Sequence, residues 1–113
     1  TFGHAIESGL GFGEWLHGEA VGAGMAIAAR VSRHMDLIDD RCVERTINLL
    51  RRARLPVKGP ALGASRYLEL MGHDKKVEAG KMRFILLRGI GNAFITDAVP
   101  GDTLNTVLDG EGV

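Results

Sequence analysis

Thr1-Phe2-Gly3-His4-Ala5-Ile6-Glu7-Ser8-Gly9-Leu10-Gly11-Phe12-Gly13-Glu14-Trp15-Leu16-His17-Gly18-Glu19-Ala20-Val21-Gly22-Ala23-Gly24-Met25 opens the chain, and its reading decides the fold. Two clusters of histidine and carboxylate flank a glycine-rich bend. His4 and Glu7 stand three positions apart, so one helical face carries both, and the carboxylate can hold the imidazole in a single tautomer. Gly9, Gly11 and Gly13 let the backbone reverse. That reversal returns His17 beside His4, at the start of a second helix made largely of small residues. Such convergence suits a metal or a phosphate site.

Working outward, residues 2 to 8 read as the tail of a helix with Gly9 as its stop signal. The second helix runs from about residue 18 to 34. Alanine or glycine at 20, 22, 23, 24, 26, 28 and 29 leaves nearly its whole circumference small, the mark of a buried helix. Gly22 and Gly24 would each cost about 1 kcal/mol relative to alanine in an exposed helix, so their use implies a close neighbour, most simply another helix. Asp39 or Asp40 caps a third helix reaching about residue 53, with Val43, Ile47 and Leu50 on one apolar face. Pro56, Gly59 and Pro60 mark a loop. A short fourth helix covers 65 to 71 and closes at Gly72. β-Branched and aromatic residues then cluster in 81 to 87 and 92 to 96 on either side of Gly89 and Gly91, which predicts two antiparallel strands and a hairpin. Asp102 caps a last helix carrying Leu104, Val107 and Leu108, and Gly110-Glu111-Gly112 reads as frayed. No repeat or low-complexity segment interrupts the order. The expected fold is mainly α, a helical bundle with one small antiparallel β-hairpin, occupying 1 to 113 as one domain.

Composition narrows the functional classes. A chain of 113 residues supports one core, burying about two thirds of its unfolded surface. Fourteen basic residues balance fourteen acidic ones, so no global field draws the chain to nucleic acid or membrane. Arg45, Arg51, Arg52 and Arg54 form a local basic cluster that could meet nucleic acid. Three of them fall in the last turn of the third helix, however, where they complement its dipole as a solvated end. Cys42 is the only cysteine, which excludes an internal disulfide and fits a reducing compartment; it reads as a small buried hydrophobe. The apolar stretch from 20 to 29 is too short to span a bilayer, and no signal sequence precedes it. The expectation is a soluble, cytoplasmic chain with no nucleic-acid and no membrane partner.

Among the chemical residues, His17 is the strongest metal-ligand candidate: an imidazole at a helix start is held by backbone geometry, and Gly18 beside it leaves room for an ion. Spacing alone favours a structural histidine over a ligand, because catalytic zinc generally takes three protein ligands and no convincing second and third follow. Glu19 reads as an amino-terminal helix carboxylate outside any metal shell. His4 with Glu7 is half of a carboxylate-bridged two-iron motif, but no second copy exists to complete it. On the residues alone His4 is a satisfied buried histidine. Lys75 and Lys76 follow Asp74 between a helix end and the first strand, either as point charges for a carboxylate or phosphate or as a solvated turn. Arg83 has no assigned function, and His34 and His73 read as exposed helix-end residues.

The string FGHAIESGLGFGEWLHGEAVGAGM also resembles the central signature of the 3-dehydroquinate synthase family, zinc- and NAD-dependent enzymes of the shikimate pathway. Lys58-Gly59-Pro60, Asp74-Lys75-Lys76-Val77, the run of residues 83 to 87 and Ile90-Gly91-Asn92-Ala93 follow in the order of that family's carboxy-terminal domain. The resemblance extends to about residue 108. It implies that His17 is a zinc ligand (zinc, or another divalent metal such as cobalt), that His4 is catalytic and faces the substrate and its phosphate, and that Lys75 or Lys76 binds substrate. In the family a further zinc-binding histidine immediately precedes the position of Thr1, and a glutamate ligand and the NAD-binding domain lie further upstream. The chain is therefore expected to be a fragment whose partners are a sugar acid phosphate and the amino-terminal NAD-binding domain, with a homodimeric full-length enzyme and an inactive fragment. Two rivals remain open: a related metal- and NAD-dependent polyol dehydrogenase or sugar-phosphate cyclase, and a non-catalytic helical interaction module.

Overall fold

In the computed structural model, which describes residues 1–10, 14–72 and 82–112, helices α1 (Phe2–Leu10) and α2 (His17–His34) cross so closely that their backbones touch. A Cβ added at Gly24 would lie 2.9 Å from the Gly3 nitrogen and 3.2 Å from its Cα, so only glycine permits the approach. The close neighbour implied by the small residues of α2 is thus α1 at Gly24 and, at Gly22, the side chain of Leu55, whose Cβ would stand 2.9 Å from an added methyl. Helix α1 runs one residue beyond the expected stop. Gly9 serves packing instead, since a Cβ there would meet Leu62 Cδ1 at 2.5 Å.

Helix α3 (Asp40–Arg52) starts where Asp39 accepts a hydrogen bond from the Cys42 N–H at 2.9 Å, an N-cap that satisfies one of the helix's orphan donors. It ends with Arg54 in the left-handed region at φ 61°, and the Leu55 N–H returns to the Leu50 carbonyl at 3.0 Å. That is a Schellman closure made without glycine. It turns Leu55 back onto Gly22 and places Ile47 and Leu50 against Ala26 in a small second core. Arg45, Arg51, Arg52 and Arg54 are all exposed, as a solvated helix end requires.

Helix α4 (Ala64–Gly72) is capped from across the chain. Asp109 accepts from the Ala64 N–H at 2.6 Å, a cap that no local sequence signal predicts. Strands β1 (Phe84–Gly89) and β2 (Asn92–Thr96) pair antiparallel, Phe84 opposite Thr96 and Leu86 opposite Phe94. The hairpin is tied to α2 through Ser32: its buried hydroxyl donates to the Ala28 carbonyl at 2.7 Å and accepts from the Leu87 N–H at 2.9 Å. Its other tie is to α1. The Phe2 and Phe84 rings stand 5.6 Å apart, and the Thr1 hydroxyl donates to the Arg83 carbonyl at 2.6 Å.

Helix α5 (Gly101–Thr106) begins at Pro100, so Asp102 lies in its first turn and does not cap it. The chain continues as a π-type turn over Val107–Glu111. The end is anchored where fraying was expected: Gly112 is buried and its carbonyl accepts from the Gly59 N–H at 2.8 Å. Val107 and Leu108 join Ile6, Ile27, Tyr67, Met71 and Leu86 in the main core. Tyr67 donates its phenol to the Pro60 carbonyl at 2.8 Å, and burial pushes its ionisation above the ordinary tyrosine range. The fold is mainly α with a two-stranded antiparallel hairpin, as the sequence predicts. Among the described residues no helix is long and apolar enough to cross a membrane.

The α1–α2 contact makes a directional prediction. Gly24→Ala removes a helix-breaking residue, which alone would stabilise by about 1 kcal/mol, yet overpacking against a backbone should reverse the sign to a net loss of about 1–3 kcal/mol. Gly18→Ala, where nothing stands within 4 Å of an added Cβ, is the control and should be neutral or stabilising. Chemical denaturation midpoints of the two variants provide the comparison; a more stable Gly24→Ala protein would contradict the packing account.

Candidate functional site

The crossing of α1 and α2 leaves a cavity of about 350 Å³ at its open end, lined in part by Thr1, His4, Glu7, His17, Met25 and Ile85. Each element contributes for a reason already given. Gly3 on Gly24 brings the first turn of α1 against α2, and the Thr1 and Phe2 contacts with the hairpin carry Ile85 to the same corner. His4 and His17 therefore share one cavity, as the reversal of the chain between them implies. His4 is exposed there and is not the buried histidine that its residues alone suggest.

The carboxylate partnership differs from the helical reading. Glu7 Oε1 stands 2.9 Å from His17 Nδ1, so Glu7 holds the histidine of the other helix instead of the one three residues before it. Spacing within α1 makes His4 and Glu7 neighbours, but it is silent on which element faces Glu7 across the helix crossing. The signal that points to this pairing is a histidine opening the helix that the glycines fold back. Glu19 accepts from the Leu16 N–H at 2.8 Å, which occupies its carboxylate at the start of α2 and keeps it out of the cavity's chemistry.

Lys75 and Lys76, with Asp74 and His73, lie outside the described residues, as do Gly11, Phe12 and Gly13. His34 is exposed at the end of α2, and Arg83 precedes β1, where its carbonyl accepts from the hydroxyl of the cavity-lining Thr1. A larger groove of about 650 Å³ adjoins the histidine corner, sharing Met25, Ala28 and Ile85 with it, but its lining is mostly apolar and carries only Arg45 and Arg52 as charged groups. The two histidines and Glu7 line the smaller cavity.

Residues 1–77 match the model of the 3-dehydroquinate synthase C-terminal family. The chain belongs to that family. It is 56% identical over 108 residues to the 3-dehydroquinate synthase of Nitrosospira multiformis, covering 96% of this chain and 30% of that protein. Its fold is similar to the structure of ValA, the 2-epi-5-epi-valiolone synthase of Streptomyces hygroscopicus subsp. jinggangensis 5008, with NAD+ and Zn2+ bound. That likeness has a TM-score of 0.79 at 27% identity and covers 95% of this chain and 31% of the synthase. The chain thus spans about 30% of the length of the family relatives it matches.

The residues present fit one part of a metal site. An imidazole whose second nitrogen is engaged by a carboxylate is the arrangement that metal-binding histidines adopt, and His17 has it. Among the described residues, however, no group of three histidine, cysteine or acidic side chains converges to hold an ion. A single imidazole competes poorly with water and buffer. The 113-residue chain should accordingly retain little or no zinc after dialysis, measured by elemental analysis; one tightly held ion per chain would show that donors outside this cavity complete a site.

Proposed function

We propose that this chain is the carboxy-terminal metal- and substrate-binding domain of a 3-dehydroquinate synthase, a phosphate-eliminating lyase that converts 3-deoxy-D-arabino-heptulosonate 7-phosphate to 3-dehydroquinate and phosphate in the shikimate pathway. The observation that carries the reading is the shared cavity of His4 and His17 in a chain of this family, with His17 held by Glu7. When bound, a zinc or other divalent ion such as cobalt supplies Lewis acidity at a substrate oxygen, and NAD supplies a reversible hydride acceptor.

The chain's own residues have separable tasks in this reading. His17 offers one imidazole nitrogen as a metal ligand at the cavity wall. His4, exposed in the same cavity, holds or protonates a phosphate oxygen as the phosphate leaves. Lys75 or Lys76 anchors the substrate as a point charge. In this reading the remaining metal ligands are a histidine immediately before the position of Thr1 and a glutamate further upstream, most of the NAD site belongs to the amino-terminal domain, and the complete enzyme is a soluble cytoplasmic protein, proposed to be a homodimer. The likeness to a valiolone synthase favours a second reading, a related sugar-phosphate cyclase that closes a different ring. A panel of sugar phosphates offered to the full-length protein separates the two by which substrate releases phosphate.

Replacing the two histidines in the full-length protein should give different losses. His17→Ala should lose the metal and all turnover. His4→Ala should keep the metal and lower turnover by about 10² to 10⁴, the range for a lost acid or base group. Metal content and phosphate release are the paired measurements. A His4→Ala protein with wild-type turnover, or a His17→Ala protein that keeps its metal, would show the roles to be wrongly assigned.

A further inference from the structure

We infer that Glu7 is a positioning residue for His17, gripping the imidazole at Nδ1 so that Nε2 is the nitrogen offered to a divalent ion. The inference rests on the metal role proposed above for His17 and deepens it. An ionised carboxylate can only accept a hydrogen bond, so at the 2.9 Å contact the proton sits on Nδ1 and the lone pair is left on Nε2. Metal-binding histidines are commonly held in this way, with the outer carboxylate fixing both tautomer and ring orientation.

The surroundings make Glu7 the member of the pair that sets the geometry. The His17 side chain is 70% exposed and that of Glu7 only 14%. Packing therefore does little to choose the imidazole rotamer, and the hydrogen bond to a well-enclosed carboxylate has to do it. Glu7 in turn is fixed by its helix. Its neighbour Ile6 is fully buried in the core, and α1 is locked onto α2 by the Gly3 and Gly24 contact, so the carboxylate arrives at His17 from a rigid base. Glu19, the other acidic residue at the start of α2, is engaged with the Leu16 N–H. Glu7 spans the helix crossing and couples the two elements at the point where an ion would sit.

The test uses the full-length protein and has one readout that needs no metal. In the metal-free wild-type protein, the ¹⁵N chemical shifts of the His17 ring should report a proton on Nδ1. Zn²⁺ affinity, measured by competition with a chromophoric chelator, should fall about 10- to 100-fold in Glu7→Ala, and the visible spectrum of the Co²⁺-loaded protein should shift. Glu7→Gln retains a side-chain oxygen able to accept from Nδ1 and should recover most of the affinity and the wild-type spectrum. A metal-free wild-type protein with its His17 proton on Nε2 overturns the inference even if neither variant folds. Wild-type affinity and spectrum in Glu7→Ala, with the metal lost in His17→Ala, overturns it while leaving His17 as a ligand. Undiminished affinity in His17→Ala overturns the metal role of His17 and this inference together.

Discussion

The rest of the structure depends on one backbone contact, Gly3 against Gly24. With a Cβ at Gly24 only 2.9 Å from the Gly3 nitrogen, no side chain can be added without parting the two helices. Parting them would separate His4 from His17, move Glu7 away from its partner and loosen the Phe2 to Phe84 contact that seats the hairpin. The glycines of α2 are poor helix formers, and their cost is offset by the van der Waals contact and burial that the close crossing allows. A site assembled from two helices inherits its precision from how closely those helices are held.

The hairpin and the carboxy-terminal turn reinforce that arrangement from the far side. Ser32 gives β1 a hydrogen bond on its α2 side, so a strand backbone group is satisfied by a helix side chain. Asp109 caps α4 from the final turn, and Gly112 closes on Gly59. These contacts join segments distant in sequence and leave the histidine corner as a cavity whose largely apolar wall carries Thr1, His4, Glu7 and His17.

Much of this was legible in the residues. The small-residue run of α2 requires a close neighbour, the periodicity of Val43, Ile47 and Leu50 requires one apolar face, and the clustering of β-branched and aromatic residues on either side of Gly89 and Gly91 requires a hairpin; each is where the pattern puts it. That His4 and His17 meet in one cavity is legible as well, from the glycine-rich sequence between them. The partner of Glu7 was not. Helical spacing ranks neighbours on one element and knows nothing of the facing one, so it favoured His4 over His17. The Asp109 cap and the Gly112 anchor were hidden for the same reason, being long-range contacts made by residues whose local sequence signals a turn or a loose end. On its residues alone His4 reads as a satisfied buried histidine, whereas the cavity at the crossing leaves it exposed.

The claim that this crossing builds half of a metal site is tested most directly by locating the ion. X-ray diffraction at the zinc edge from the full-length, zinc-loaded protein would give its position relative to α1 and α2. The expected result is an anomalous peak about 2.0–2.1 Å from His17 Nε2, the usual zinc to imidazole distance, with Glu7 on Nδ1 and His4 in the same cavity but outside bonding range. A zinc held without His17, or one ligated directly by Glu7, would contradict it.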